Sequence, residues 1–185
     1  RAEGLQGLSL DGIGVIPEGR RFYPKGAMLS HVLGFANIDN QGLEGLERRY
    51  DAQLRGERGH LVVQRDAFGG AVFPKELNYV APSPGKDLVL TIDEVIQYIA
   101  EQELDEVVTR TRAASGVVIV VEPKTGAILA LAVRPTFDPN APKGDANLWR
   151  NRTISDSYEP GSTFKLVAAA AALEEKLVSP DELIF

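Results

Sequence analysis

Cysteine is absent from these 185 residues. That excludes disulfides, thiolate nucleophiles and thiolate-held zinc or iron–sulfur centres, and it suits an extracytoplasmic protein that folds without oxidation. Histidine is nearly absent too: His31 and His60 both lie in the N-terminal half. A Ser–His–Asp triad is poorly supported, and the pair lacks local metal-ligand spacing, so both read as ordinary surface or half-buried side chains. No metal or other cofactor is expected. No basic block occurs, and the net charge of −6 from 20 basic and 26 acidic residues argues against a nucleic-acid surface. Long apolar runs are missing as well. The longest, residues 166–173, is mostly alanine and far short of the roughly 18 residues a membrane span needs; close helix packing is its expected role. Any targeting segment is expected upstream of Arg1 or removed.

What is present falls into two parts. Residues 1–85 are glycine-rich and mixed, with a short amphipathic helix expected at 42–54 and a hairpin at 61–72. Arg48, Arg49 and Arg55 flank that helix and read as solvated. Residues 74–84 form a connector, with Pro82-Ser83-Pro84-Gly85 as the domain junction. Beyond it the pattern changes. Thr91 stands three residues before Glu94, a capping-box spacing, and Val95, Ile99, Leu104, Val107 and Val108 recur at helical intervals to about Arg112. Two apolar, β-branched runs, 116–122 and 127–133, are joined by Pro123-Lys124-Thr125-Gly126, which is hairpin chemistry. The helix should lie on that hairpin. Residues 134–161 read as a long proline-containing loop, with the lone Trp149 packed beneath it. Helix, hairpin and second helix make an α+β core with its sheet incomplete.

The chemistry-bearing passage is Glu159-Pro160-Gly161-Ser162-Thr163-Phe164-Lys165. Proline and glycine end the preceding segment, and residues 166–176 are strong helix formers, so Ser162 is expected in a first helical turn. Residues three apart share a helix face, which brings Lys165 within reach of the Ser162 hydroxyl. Serine needs a general base, and lysine serves as one when burial or nearby positive charge lowers its pKa. Phe164, Leu166 and Val167 are the expected desolvating groups. The helix N-terminus offers backbone N–H groups for an oxyanion, that of Ser162 first. The pattern points to acyl transfer through serine. Spacing alone leaves catalytic and incidental readings balanced, because roughly one Ser-x-x-Lys is expected by chance in a chain of this length. A second match, Ser83-Pro84-Gly85-Lys86, sits in a turn and reads as structural.

Ser-x-x-Lys is one of three motifs shared by penicillin-binding proteins and serine β-lactamases. The stretch from Asn151-Arg152 through Tyr158 to Lys165 closely resembles the active-site approach of class B penicillin-binding proteins. So do Thr91-Ile92-Asp93 followed by Gln97, Gly116-Val117-Val118-Ile119-Val120, Pro123 to Ala130, and Pro135-Thr136-Phe137-Asp138-Pro139-Asn140. Gly42-Leu43-Glu44-Gly45-Leu46-Glu47 and Arg65-Asp66-Ala67-Phe68-Gly69 resemble the domain that precedes the transpeptidase domain. The resemblance covers nearly the whole chain and is greatest to the cell-division type of Gram-negative bacteria. It implies a non-catalytic pedestal at 1–85 and the incomplete N-terminal part of a serine β-lactamase-like transpeptidase domain at 86–185. It further implies a peptidoglycan stem peptide ending in D-Ala-D-Ala as substrate, β-lactams bound covalently at Ser162, and Lys165 as proton acceptor. Divisome partners including a glycosyltransferase, an upstream membrane anchor and a periplasmic location follow from the same likeness.

The chain departs from the family pattern in two places. Lys124-Thr125-Gly126 spells the third family motif but precedes the serine instead of following it, and reads as an exposed turn; Ser-x-Asn does not occur. The apolar end Leu183-Ile184-Phe185 adds to the expectation of a truncated chain that is inactive alone. Two rival readings stand beside the transpeptidase: a serine β-lactamase or β-lactam sensor, and a non-catalytic divisome scaffold acting through residues 1–85.

Overall fold

The computed structural model describes residues 19–61, 64–65, 67, 71–72, 79–144 and 146–182. The chain divides into two units, Arg1–Ile154 and Ser155–Phe185. In the first, three short helices come early among the described residues: α1 (Ser30–Leu33), α2 (Gly45–Arg49) and α3 (Asp51–Arg55). The single helix expected at 42–54 is therefore two, broken at Tyr50, whose backbone (φ −114°, ψ 21°) leaves the helical range. Gly45 cannot be replaced without strain. Its φ is +59°, and a Cβ there would lie 2.5 Å from the Val32 carbonyl oxygen, so glycine lets α2 start against the end of α1. Arg48, Arg49 and Arg55 are exposed, as expected, with Arg55 paired to Asp51 at 3.3 Å.

Among the described residues four two-residue strands follow: β1 (His60–Leu61), β2 (Gln64–Arg65), β3 (Ala71–Val72) and β4 (Tyr79–Val80). β2 pairs antiparallel with β3, as the expected hairpin requires, and β1 with β4. Asp66, Phe68, Gly69, the connector residues 74–78 and the terminal Leu183-Ile184-Phe185 lie outside the described residues. Ser83 and Glu57 exchange backbone hydrogen bonds at 2.9 and 3.0 Å, which places Ser83-Pro84-Gly85-Lys86 in non-helical backbone with no helix start.

The centre of this unit is α4 (Glu94–Thr111) on the antiparallel hairpin of β5 (Gly116–Val121) and β6 (Ile128–Arg134). Lys124 is exposed in the connecting turn, as expected, and the Thr125 hydroxyl donates to Glu122 at 2.5 Å while accepting from the Ala127 N–H. The cap of α4 differs from the expectation. Asp93, not Thr91, accepts from the N–H groups of Val95 and Ile96, whereas the Thr91 hydroxyl donates to the Ile128 carbonyl and ties the helix start to β6.

The buried face of α4 also differs. Val95, Ile99 and Val107 are exposed, and the helix turns Gln97, Ala100, Glu101 and Leu104 inward. Ala100 and Leu104 pack with Ala130 and Ala132, with Ile96, Val108, Val118 and Val120 at the margin. Alanines on β6 allow a close helix–sheet approach, and that brings the polar stripe Gln97, Glu101, Asp105 over the strand. Gln97, 1% exposed, uses its amide as a strand edge: Nε2 donates to the Leu131 carbonyl at 3.0 Å and Oε1 accepts from the Leu131 N–H at 2.7 Å. A leucine there would leave two buried backbone groups without partners. Gln97→Leu is expected to lower unfolding free energy by about 2–4 kcal/mol in a urea titration of the chain. A loss under about 0.5 kcal/mol would show that the helix does not depend on this pairing.

A second core lies between the N-terminal segment and the loop after β6. Tyr23, Phe35 and Phe137 are buried together, with Leu33, Leu148 and Trp149 against them. Trp149 stacks edge-on to Phe35 at 5.0 Å, so it packs beneath the loop, as expected. The short helices α5 (Ala146–Trp149) and α6 (Arg152–Ser155) interrupt that loop.

Candidate functional site

In the second unit the backbone turns at Gly161 (φ +52°), where a side chain would be strained, and then enters a 3-10 turn, Gly161–Phe164, that runs directly into α7 (Lys165–Glu174). Pro160 precedes the turn and its carbonyl accepts from both the N–H (3.0 Å) and the hydroxyl of Thr163. The Thr163 hydroxyl is thereby turned back on its own loop. The Lys165 N–H donates to the Ser162 carbonyl. The expected helix is present, with the serine in a tighter turn than an α-helix. That matters for the pair, because side chains three apart eclipse in a 3-10 helix. Ser162 and Lys165 therefore leave the backbone on one edge, at the start of a ten-residue helix.

Both side chains are exposed, and among the described residues no hydrogen bond joins them. The desolvation expected from Phe164, Leu166 and Val167 is not supplied: they are 58%, 76% and 56% exposed. The alanine-rich stretch is likewise exposed, against the expectation of close helix packing. The arrangement offers a hydroxyl, an amine on the same edge and a helix N-terminus. Groups of this kind serve acyl-serine chemistry, and here they lie on an open surface.

Two groups elsewhere in the chain, neither of them marked by the sequence as part of a site, are built more tightly. Arg134, at the end of β6, is buried; Nε and Nη2 bind the Asp105 carboxylate, the latter at 2.6 Å, and Nη2 reaches Glu101 Oε2 at 3.4 Å. The hydrogen bonds that Arg134 donates to Asp105, with the charges of Asp105 and Glu101, hold the guanidinium pKa above its ordinary value, and the same bonds hold the Asp105 carboxyl below its own. Glu101 Oε1 accepts from Gln97 Nε2 at 2.7 Å and from the Leu29 N–H at 2.8 Å. The legible signal was the four-residue spacing of Gln97, Glu101 and Asp105. The other is His31, expected at the surface or half-buried but in fact buried, with its Nε2 2.9 Å from the Leu148 carbonyl. Nothing in its sequence neighbourhood marks it, because its partners lie more than 100 residues away. Among the described residues no group of His, Asp and Glu is placed to hold a metal.

The penicillin-binding protein transpeptidase domain model matches residues 116–185, and the penicillin-binding protein dimerisation domain model matches residues 6–90. Stage V sporulation protein D of Bacillus subtilis is 42% identical over 181 residues, which is 97% of this chain and 28% of that protein. Peptidoglycan D,D-transpeptidase FtsI of Escherichia coli is 35% identical over 184 residues, 99% of this chain and 31% of that protein. Among solved structures, penicillin binding protein 3 from Mycobacterium tuberculosis superimposes with a TM-score of 0.66 at 34% identity, over 88% of this chain and 33% of that one. A peptidoglycan synthetase from Bifidobacterium adolescentis gives 0.70 at 28% identity, over 87% and 29%. The chain thus spans about a third or less of the proteins it matches.

Proposed function

Because the chain belongs to the class B penicillin-binding proteins, we propose that it carries the nucleophile and base of a peptidoglycan D,D-transpeptidase acting in cell division. The observation that supports this reading is that Ser162 lies in the 3-10 turn Gly161–Phe164 while Lys165, three residues on, opens α7 with its N–H bonded to the Ser162 carbonyl. Ser162 Oγ attacks the carbonyl of the penultimate D-Ala of a stem peptide as Lys165 takes its proton; the terminal D-Ala leaves with a proton, and a serine ester remains. An acceptor amine then attacks that ester, forms the cross-link and frees the hydroxyl. A β-lactam follows the first half of this path and stops at the ester, because ring opening leaves no departing fragment.

On this reading residues 1–85 are a pedestal and residues 86–185 the front of the catalytic domain. The missing Ser-x-Asn and the later Lys-Thr-Gly come from chain outside these residues, and Lys124-Thr125-Gly126 stays a turn. The outward apolar face of β5, Val117, Ile119 and Val121, and the open surface around Phe164, Leu166 and Val167 suit cover by that further part of the domain. Such cover would supply the desolvation that Lys165 lacks here. A membrane anchor before Arg1, a periplasmic and septal location, and divisome partners belong to the same proposal.

Intact-mass spectrometry with benzylpenicillin tests the reading. An adduct on Ser162 in the full-length protein supports it, and its absence there overturns it. The chain ending at Phe185 is expected to stay unmodified. A β-lactamase would instead release the adduct within minutes.

A further inference from the structure

Three stretches of the first unit, within residues 19–23, 36–38 and 139–142, enclose a cleft of about 640 Å³, a volume usual for ligand sites. Hydrogen bonds fasten its walls together. The Asn140 amide pairs with the Tyr23 backbone in both directions at 2.9 Å, the Tyr23 hydroxyl accepts from the Ala36 N–H at 3.1 Å, and Asn40 Nδ2 donates to the Gly19 carbonyl at 2.7 Å. The cleft is therefore preformed. Tyr23, Ile38, Pro139 and Pro142 give it apolar surface, and its two asparagines are already engaged, Asn140 with Tyr23 and Asp138, Asn37 with Asp39 and Gln41. The remaining donors come from arginine. Arg20 Nη2 donates to the Asn140 carbonyl at 3.3 Å, which steadies the guanidinium on one wall, and among the described residues no carboxylate pairs with it. Arg21 is held by Glu47 at 3.0 Å. No acidic residue lines this cleft, in a chain whose net charge is −6.

We propose that this cleft docks a peptide segment that presents an acidic side chain between apolar residues, with its carboxylate bound by Arg20. The role does not depend on the assignment of Ser162. A guanidinium carries its donors in a planar fork that matches the two oxygens of a carboxylate, and Arg20 spends only one of its five N–H groups on Asn140. With no acid on the cleft wall, no carboxylate of the wall competes for that fork. Sugars are recognised through many paired donors and acceptors, and the engaged asparagines leave few to offer. A small inorganic anion would satisfy Arg20 but leave the apolar walls in water, whereas the apolar neighbours of an acidic residue cover them, Ile38 above all at 83% exposed. Charge and apolar surface together therefore select an acidic, apolar peptide.

The test is binding of acetyl-Leu-Glu-Leu-amide to the full-length protein, followed by saturation-transfer NMR on the peptide signals. The wild type should bind it about tenfold more tightly than acetyl-Leu-Gln-Leu-amide, which has the same size and no charge. Arg20→Gln should weaken the glutamate peptide by about the same factor and no longer tell the two peptides apart, because either change deletes the same interaction. Arg20→Lys keeps the charge without the fork and should keep only part of the preference. Arg20 is exposed, so neither substitution should disturb folding, and the peptide pair reads the contact in the unaltered protein as well. Equal binding of the two peptides by the wild type, or binding of neither, would overturn the site. A preference that survives Arg20→Gln would place the recognition elsewhere and overturn its assignment to this cleft. Inorganic phosphate that displaces the peptide at concentrations below those at which the peptide binds would make this a phosphate site and overturn the peptide reading.

Discussion

Ser162→Ala in the full-length protein should abolish the covalent penicillin adduct completely, while Lys165→Ala should leave a protein that acylates about 10²–10⁴ times more slowly. The two effects differ in kind. Without the hydroxyl no bond to the ring carbonyl can form; without the amine the hydroxyl remains but must lose its proton to water. Lys165→Arg tests the role of the lysine. Arginine keeps a positive charge on the same edge of the turn but does not deprotonate, so it should acylate as poorly as alanine does. Recovery in Lys165→Arg would mean that the side chain serves by its charge and that the base lies elsewhere. Stopped-flow acylation, with peptide mapping of the product, separates these outcomes.

Arg134→Met should destabilise the α4–hairpin core by about 3–5 kcal/mol, because it leaves the Glu101 carboxylate buried with only Gln97 and the Leu29 N–H to satisfy it. Arg134 also donates to the Val133 carbonyl at 3.0 Å and to the Glu101 carbonyl at 3.3 Å, so several acceptors lose their donor at once. Asp105 contributes less, since half its side chain is open to water. The double variant Arg134→Met with Glu101→Gln should recover part of the loss, for no charge is then stranded. The acid limb offers a second check. The Asp105 carboxyl titrates below its ordinary 3.8 when bonded to Arg134, so its stabilising contribution is present above that value and disappears as pH falls through the lower folded one. Arg134→Met should flatten that part of the stability–pH curve. Urea unfolding of the chain at several pH values measures both effects. A loss under 1 kcal/mol would mean that the Glu101 carboxylate stays hydrated in the folded state.

The sequence reading and the folded chain part company at definite residues. The hairpin at β5 and β6 was legible because two β-branched runs and a Pro-Lys-Thr-Gly turn specify it locally. α4 was legible as a helix, but its inward face was misread. Val95, Ile99 and Val107 made the more obvious apolar stripe, yet the buried side follows the polar spacing of Gln97 and Glu101. Burying polar groups is favourable here only because strand β6 and Arg134 satisfy them, and local patterning holds no record of those partners. The cap was misassigned for the same reason: Thr91 fits a capping box, but β6 engages its hydroxyl and leaves the helix start to Asp93.

By itself the sequence determined the parts that depend on neighbours in the chain. These are the β5–β6 hairpin, the boundaries of α4 and α7 within a few residues, and the Pro-Gly turn that sets Ser162 and Lys165 three apart at a helix start. It determined the family too, through several ordered motifs. Tertiary structure decided what those parts face. It buried His31 against Leu148, set Arg134 between Glu101 and Asp105, and joined the N-terminal aromatic residues to Phe137 and Trp149 across more than a hundred residues. Bonds within a turn are specified by spacing alone, whereas a buried charge or imidazole takes its protonation and its partners from whichever distant elements close around it.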